Sequence, residues 1–85
     1  MYRRTIMALY PNLQMHRIEL GWEVADIVAK LTPTGRLSLS SVYRLESGRE
    51  IRASNVSRIF NLINAERRLH GLSELNAAAE VIFLR

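Results

Sequence analysis

Ser38-Leu39-Ser40-Ser41-Val42-Tyr43-Arg44-Leu45-Glu46-Ser47-Gly48-Arg49 is the stretch whose reading decides the fold. Ser38 is a good N-cap, because a serine oxygen accepts a hydrogen bond from one of the unpaired N–H groups that open a helix. Gly48 is a good stop, since glycine enters the left-handed conformation that closes helices without a steric penalty. A helix over 39–47 is therefore expected, with a narrow inward stripe of Val42 and Leu45 and with Leu39 near its start. Ser40, Ser41, Tyr43, Arg44 and Ser47 fall on the other sides, and a basic loop, Arg49-Glu50-Ile51-Arg52, follows.

Upstream, Pro11 suits a helix's first turn, and Leu13, Ile18 and Leu20 predict a short helix over 11–20 that Gly21 ends. Val24, Ile27, Val28 and Leu31 lie at i, i+3, i+4 and i+7, one face of a second helix over 23–31, and Thr32-Pro33-Thr34-Gly35 is turn chemistry. Downstream, Ser54 or Asn55 caps a fourth helix in which Val56, Ile59, Phe60 and Ile63 repeat the same spacing until Gly71. Ser73 is then expected to cap a last helix carrying Leu75, Ala78, Ala79, Ile82 and Phe83. Val81–Leu84 also reads as a strand, which would pair with its own mate or with Thr5–Leu9. The expectation is an all-α protein, a compact bundle of about five helices.

At 85 residues the chain supports one hydrophobic core and hence one domain, 1–85, with 1–10 as an N-terminal arm and 72–85 as a dimerisation element. A hydrophobic fraction of 48% is enough for a folded core. Cysteine is absent, which excludes disulfides and thiolate metal sites and fits a reducing cytoplasm. Arg3 and Arg4 precede an apolar stretch, Ile6–Tyr10, too short for a signal peptide's core, and no run approaches a membrane span. A soluble cytoplasmic protein is expected, with no membrane partner. The net charge is +4, and every basic side chain except Lys30 is arginine, whose planar fork suits phosphates and guanine edges.

Two segments resemble a known family. Arg17-Ile18-Glu19-Leu20-Gly21-Trp22 is similar to the R-x-x-x-G turn that leads into the helix-turn-helix of phage repressors and Cro-like proteins. The Ser38–Arg49 stretch resembles that family's recognition helix. The chain is thereby identified as similar to Cro/C1-type (XRE-type) regulators, over about residues 13–64, and especially to stand-alone phage and mobile-element repressors and restriction–modification controller proteins. The resemblance implies a lambda-repressor-like DNA-binding fold whose second and third helices form the helix-turn-helix. It departs from the family in two places. Six residues separate Leu31 from Ser38, more than the family's turn holds, which predicts a longer loop. Glu23 and Val28 stand where the family prefers a polar N-cap and a small alanine, which predicts helices pushed slightly apart or a larger side chain accommodated by the longer turn.

By this resemblance Leu39, Ser40, Tyr43 and Arg44 are the base-contacting candidates. Arg44 would fork onto guanine, Ser40 would bond a donor or an acceptor, and Leu39 would touch a thymine methyl or else pack on the turn. Tyr43 would reach a phosphate or base, or cover the helix flank. Ser38, Ser41, Arg36, Arg49, Arg52 and Asn55 are the phosphate-contacting candidates. Arg17 and Glu46 would form a structural salt bridge between the first and third helices. Phe60, Ile63, Leu69, Leu75, Ile82 and Phe83 exceed the apolar needs of one small core and are candidates for a homodimer interface; the alternative places them all in the core of one chain. The implied partners are a palindromic double-stranded operator, a second copy and, if the protein activates transcription, RNA polymerase. Autoregulation by occupancy is implied in the same way.

Neither catalytic residues nor a cofactor, small-molecule ligand or metal site is expected. His16 and His70 have no H-x-x-x-H spacing, and His16 with Glu19 reads as a surface i, i+3 pair. Trp22 reads as a core or core-edge aromatic. The rival reading is a helix-turn-helix used as a protein-binding module, an antiactivator or antitoxin, with Glu66, Glu74, Glu80 and the apolar C-terminal face meeting its target.

Overall fold

The computed structural model describes residues 5–84, so Met1–Arg4 of the expected arm and Arg85 of the expected dimerisation element lie outside the described residues. In chain order the elements are strand β1 (Met7–Leu9), helices α1 (Leu13–Glu19), α2 (Val24–Leu31) and α3 (Leu39–Glu46), strand β2 (Ile51–Arg52), helices α4 (Ala53–Leu69) and α5 (Ala77–Glu80), and strand β3 (Ile82–Leu84). A single 3₁₀ turn, Thr32–Thr34, follows α2.

The first four helices lie close to where periodicity places them, but α4 begins at Ala53 with Arg52 at its N-cap and no side-chain cap, so Ser54 and Asn55 fall inside its first turn and do not cap it. Ser38 Oγ accepts from the Ser41 N–H at 3.1 Å, and Gly48 closes α3 at φ 91°. Glu23 caps α2 despite being an uncommon N-cap, because the box is reciprocal: its side chain accepts from the Asp26 N–H while Asp26 accepts from the Glu23 N–H at 2.7 Å. The core gathers Leu13, Leu20, Val24, Ile27, Leu31, Leu37, Val42, Leu45, Val56, Ile59, Phe60 and Ile63. Val28 and Trp22 are only partly buried and pack against this core from its edge, with Lys30 Nζ 5.1 Å from the centre of the Trp22 ring.

The molecule is helical but not all-α. Three short strands form an antiparallel sheet in the order β2-β1-β3, with Ala8 opposite both Ile51 and Phe83. Part of the expected arm is therefore the central strand of a sheet, and its Ala8 and Tyr10 are fully buried. The long terminal helix from Ser73 does not form; the backbone of 73–75 is instead bonded to side chains of α4. Asn64 holds the Leu75 N–H at 2.8 Å and the Leu75 carbonyl at 3.2 Å, and Arg67 Nε donates to the Ser73 carbonyl at 3.0 Å. Helix starts only at Asn76, whose Oδ1 caps the Ala78 N–H, and after one turn the buried Val81 leads into β3. The strand reading of Val81–Leu84, with Thr5–Leu9 as its partner, is the one realised within the chain.

Among the described residues no helix is long and apolar enough to cross a membrane.

Candidate nucleic-acid interface

α3 buries only Val42 and Leu45 along its length. Its outer face presents Leu39 (46% exposed), Tyr43 (59%), and the exposed Ser40, Arg44 and Ser47. Ser40, Tyr43, Arg44, Ser47 and Arg49 line one shallow, open depression. An exposed leucine and tyrosine beside two arginines give that face both apolar and cationic character. Arg44 Nε donates to the Glu50 carbonyl at 3.0 Å, which ties its stem to the loop after α3 while the side chain stays exposed.

At the opening of α3, Ser38 and Ser41 are engaged with each other, Oγ to Oγ at 3.0 Å, so both hydroxyls already serve the cap. The first N–H groups of a helix have no acceptor within it and carry the positive end of its dipole, so an anion can be met there. Arg36 is exposed on the turn just before this end, and Arg49 just after the other. Arg52 is exposed but belongs to a separate surface depression with Thr5, Ile6, Ala53 and Ser54, beside the sheet. Asn55 is half-buried and its Oδ1 accepts from Arg58 Nη1 at 3.1 Å, so its carbonyl is committed inside the protein.

Two arginines fix the frame of this surface. Arg17 grips Glu46 through two bonds, Nε to Oε2 at 2.6 Å and Nη2 to Oε1 at 3.1 Å, and donates from Nη1 to the Trp22 carbonyl at 2.8 Å. The side chains are 11% and 8% exposed, so the pair is poorly screened, and the Glu46 bond raises the Arg17 pKa above its already high value. One guanidinium thus joins α1, the turn into α2 and the end of α3. The second arginine was not legible in the sequence. Arg58 of α4 reaches the turn before α3, donating from Nη2 to the Leu31 carbonyl at 2.8 Å, to Thr34 Oγ1 at 3.0 Å and to the Gly35 carbonyl at 2.6 Å. The long loop is consequently an ordered structure.

On the opposite side, sequence reading also missed Arg67. It is buried, and bonds Glu19 at 2.7 Å. Its signal was available, because position 67 continues the apolar stripe of 56, 60 and 63, where a charged residue must find a partner or stay out of the core. His16 is not a surface partner of Glu19. It is buried, with Nδ1 2.7 Å from the Tyr10 hydroxyl and Nε2 4.0 Å from Glu80. Burial lowers the His16 pKa, opposed more weakly by Glu80, and burial likewise raises that of Tyr10. Among the described residues no three His, Cys, Asp or Glu side chains gather as a metal ion would require.

The proposed dimer residues separate into two groups. Phe60 and Ile63 are closed inside one chain, at 4% and 0% exposure, with the Phe60 ring 5.7 Å from that of Tyr10. Leu75 is half-buried against the same core. Phe60 and Ile63 are thereby corrected from interface to core, where Tyr10, brought in by the end of β1, packs on Phe60, while Leu75 lies partly buried at the core's edge. Leu69 (81%), Ile82 (47%) and Phe83 (54%) remain exposed.

Comparison with protein-family models, with curated proteins and with solved structures finds no match to this chain.

Proposed function

We propose that this chain is a sequence-specific, double-stranded DNA-binding transcriptional regulator of the Cro/C1 helix-turn-helix type, acting in the cytoplasm as a homodimer. The observation that carries the reading is α3 itself. It is a short, capped helix that buries two side chains and offers Leu39, Ser40, Tyr43 and Arg44 outward, with Arg36 and Arg49 at its ends. A helix of this size fits the major groove, where Arg44 would fork onto guanine and Leu39 or Tyr43 would meet thymine methyls or sugar. Arg36 and Arg49 would hold phosphates on either side, and α2 with its turn would form the first half of the helix-turn-helix. Arg52 and Asn55 are weaker contributors, one on a separate depression and the other engaged by Arg58.

One recognition helix covers only a few base pairs, so a two-fold dimer on a palindrome is the economical arrangement. β3 is an edge strand of the sheet with Ile82 and Phe83 exposed, a self-complementary surface on which a second copy would pair. In this reading the regulator has no cofactor and responds to its own concentration, repressing or activating by occupancy, with RNA polymerase as a further partner if it activates.

Selection of bound sequences from random double-stranded DNA tests this directly. The expected outcome is a palindromic consensus whose affinity falls linearly on a log–log salt plot, with a slope of about −0.9 for each phosphate neutralised. A chain that retains no DNA even at low salt, and instead captures a protein partner tightly, would overturn the reading in favour of a protein-binding module.

A further inference from the structure

Thr32–Leu37 joins α2 to α3, and a connection of that length left to itself would allow α3 to begin in many places. It is instead tied from behind by one side chain. Arg58 Nη2 reaches three acceptors of the turn region: the Leu31 carbonyl that ends α2, the Thr34 hydroxyl and the Gly35 carbonyl. Nη1 is held by Asn55 Oδ1 one turn earlier on α4, which fixes the plane of the guanidinium. The partners are all neutral, and among the described residues Arg58 Nε is buried with no hydrogen-bond partner and the guanidinium forms no ion pair, so those contacts with the turn are what place it. Gly35 adopts φ 143°, a conformation that side-chain-bearing residues rarely take, and its position lies against the guanidinium, where a Cβ would be at ordinary contact distance, 3.5 Å, from the Arg58 Nη atoms. Leu37, 5% exposed, then anchors the chain one residue before the Ser38 cap.

We propose that Arg58 is a positioning residue for α3, a strut from α4 that sets where α3 starts and hence the angle at which Ser40, Tyr43 and Arg44 are presented. This rests on the DNA-binding reading above and names what fixes its specificity. α4 is seated in the core through Val56, Ile59, Phe60 and Ile63, whereas α3 buries only Val42 and Leu45, so the strut transmits the position of a deeply seated helix to a shallowly seated one. Base reading depends on fixed geometry, whereas phosphate contacts by flexible arginines tolerate a displaced helix.

The test compares the parent with Arg58→Gln, Arg58→Lys and Thr34→Val in the whole chain. Circular dichroism melts establish that each variant folds. Two readouts follow: amide hydrogen exchange across residues 32–38, and affinity for the selected sequence against random DNA over a range of salt. Arg58→Gln should accelerate exchange in the turn while leaving α4 protected, and lower the specific-to-random ratio by about tenfold, the size of one lost base contact. Affinity for random DNA and the salt slope should be unchanged, which a general loss of folding would not leave intact. Lysine, which can reach one carbonyl but cannot fork, should restore part of the ratio. Should Arg58→Gln fail to fold, Thr34→Val removes one acceptor from an exposed position and must show the same split in smaller degree. A folded variant with parent-like exchange and an unchanged ratio overturns the proposal. So does a salt slope shallower by about one, which would make Arg58 a phosphate contact. If the parent selects no sequence from random DNA, the DNA-binding reading fails, and the exchange measurement still decides whether Arg58 orders the turn.

Discussion

The two ends of α3 are secured by arginines that work in different ways. At its C-terminal end Arg17 meets a carboxylate, Glu46, in a bidentate pair that is nearly closed to solvent. At its N-terminal end Arg58 meets carbonyls and a hydroxyl, and the chain depends on Leu37 and the Ser38 cap as well. An ion pair in this position concentrates its importance in two side chains, because removing either leaves the other charged and desolvated. The strut distributes its importance over several neutral contacts, each of modest net worth. The C-terminal end should therefore decide whether the domain folds, and the N-terminal end how finely α3 is placed.

The largest effect that would break this contrast is at the ion pair. Arg17→Ala or Glu46→Ala should destabilise the fold by about 3–5 kcal/mol. For a domain of this size that lowers Tm by more than about 12 °C, at 4–8 °C per kcal/mol. A parent-like melt for either variant, with only DNA binding lost, would show that the pair is not the structural member it is described as. Next comes Leu37→Ala, expected to cost about 2–3 kcal/mol in a urea titration, the lower part of the usual range because the adjoining turn can relax into the space. A loss equal to that of Arg17→Ala would mean that the two ends matter equally to folding. Ser38→Ala should cost about 1 kcal/mol by the same titration, the usual value of one N-cap. A still smaller cost would show that Arg58 alone holds the start of α3.

The smallest expected effect is one of pH, and it belongs to a buried contact that involves neither end of α3. Burial keeps the His16 imidazole neutral in the folded protein to lower pH than in the unfolded chain. The unfolded chain therefore binds more protons below about pH 6.5, and stability falls as the pH drops from there toward the depressed folded value. Melts of the parent and of His16→Gln between pH 7.5 and pH 5 should show the slope in the parent and a flatter profile in the variant. An equal slope in both would move the acid sensitivity away from the Tyr10–His16–Glu80 contact.

Much of the α3 surface was legible because it is local. Ser38, Gly48 and the two-residue stripe of Val42 and Leu45 define a helix and its outer face through contacts only a few residues apart. The Arg17–Glu46 contact was reached only through a resemblance, since nothing in the spacing of residues so far apart dictates it. Arg58 and Arg67 were missed for different reasons. Arg58 satisfies carbonyls of a segment remote in sequence, and a side chain's propensity carries no information about which distant carbonyls will need a donor. Arg67 stood out as a charge on an apolar stripe, but its partner Glu19 lies too far away in the chain for spacing to name it.

By itself, then, the sequence determined the four main helices, the Ser38 and Gly48 ends of α3, and the inward stripes of α2, α3 and α4, because these follow from hydrogen bonds and periodicities within a single turn or two. It misplaced the cap of α4 and put the exposed Ile18 on the inner face of α1. Only the tertiary structure decided the sheet and the fate of the C-terminal segment. Asn64 and Arg67 hold the Leu75 and Ser73 carbonyls, which a helix opening at Ser73 would have used as acceptors. β1 then offers Ile82–Leu84 a ladder of partners that a solitary helix end lacks. Phe60 and Ile63 are core and Leu75 lies at its edge, while Ile82 and Phe83 stay outside it.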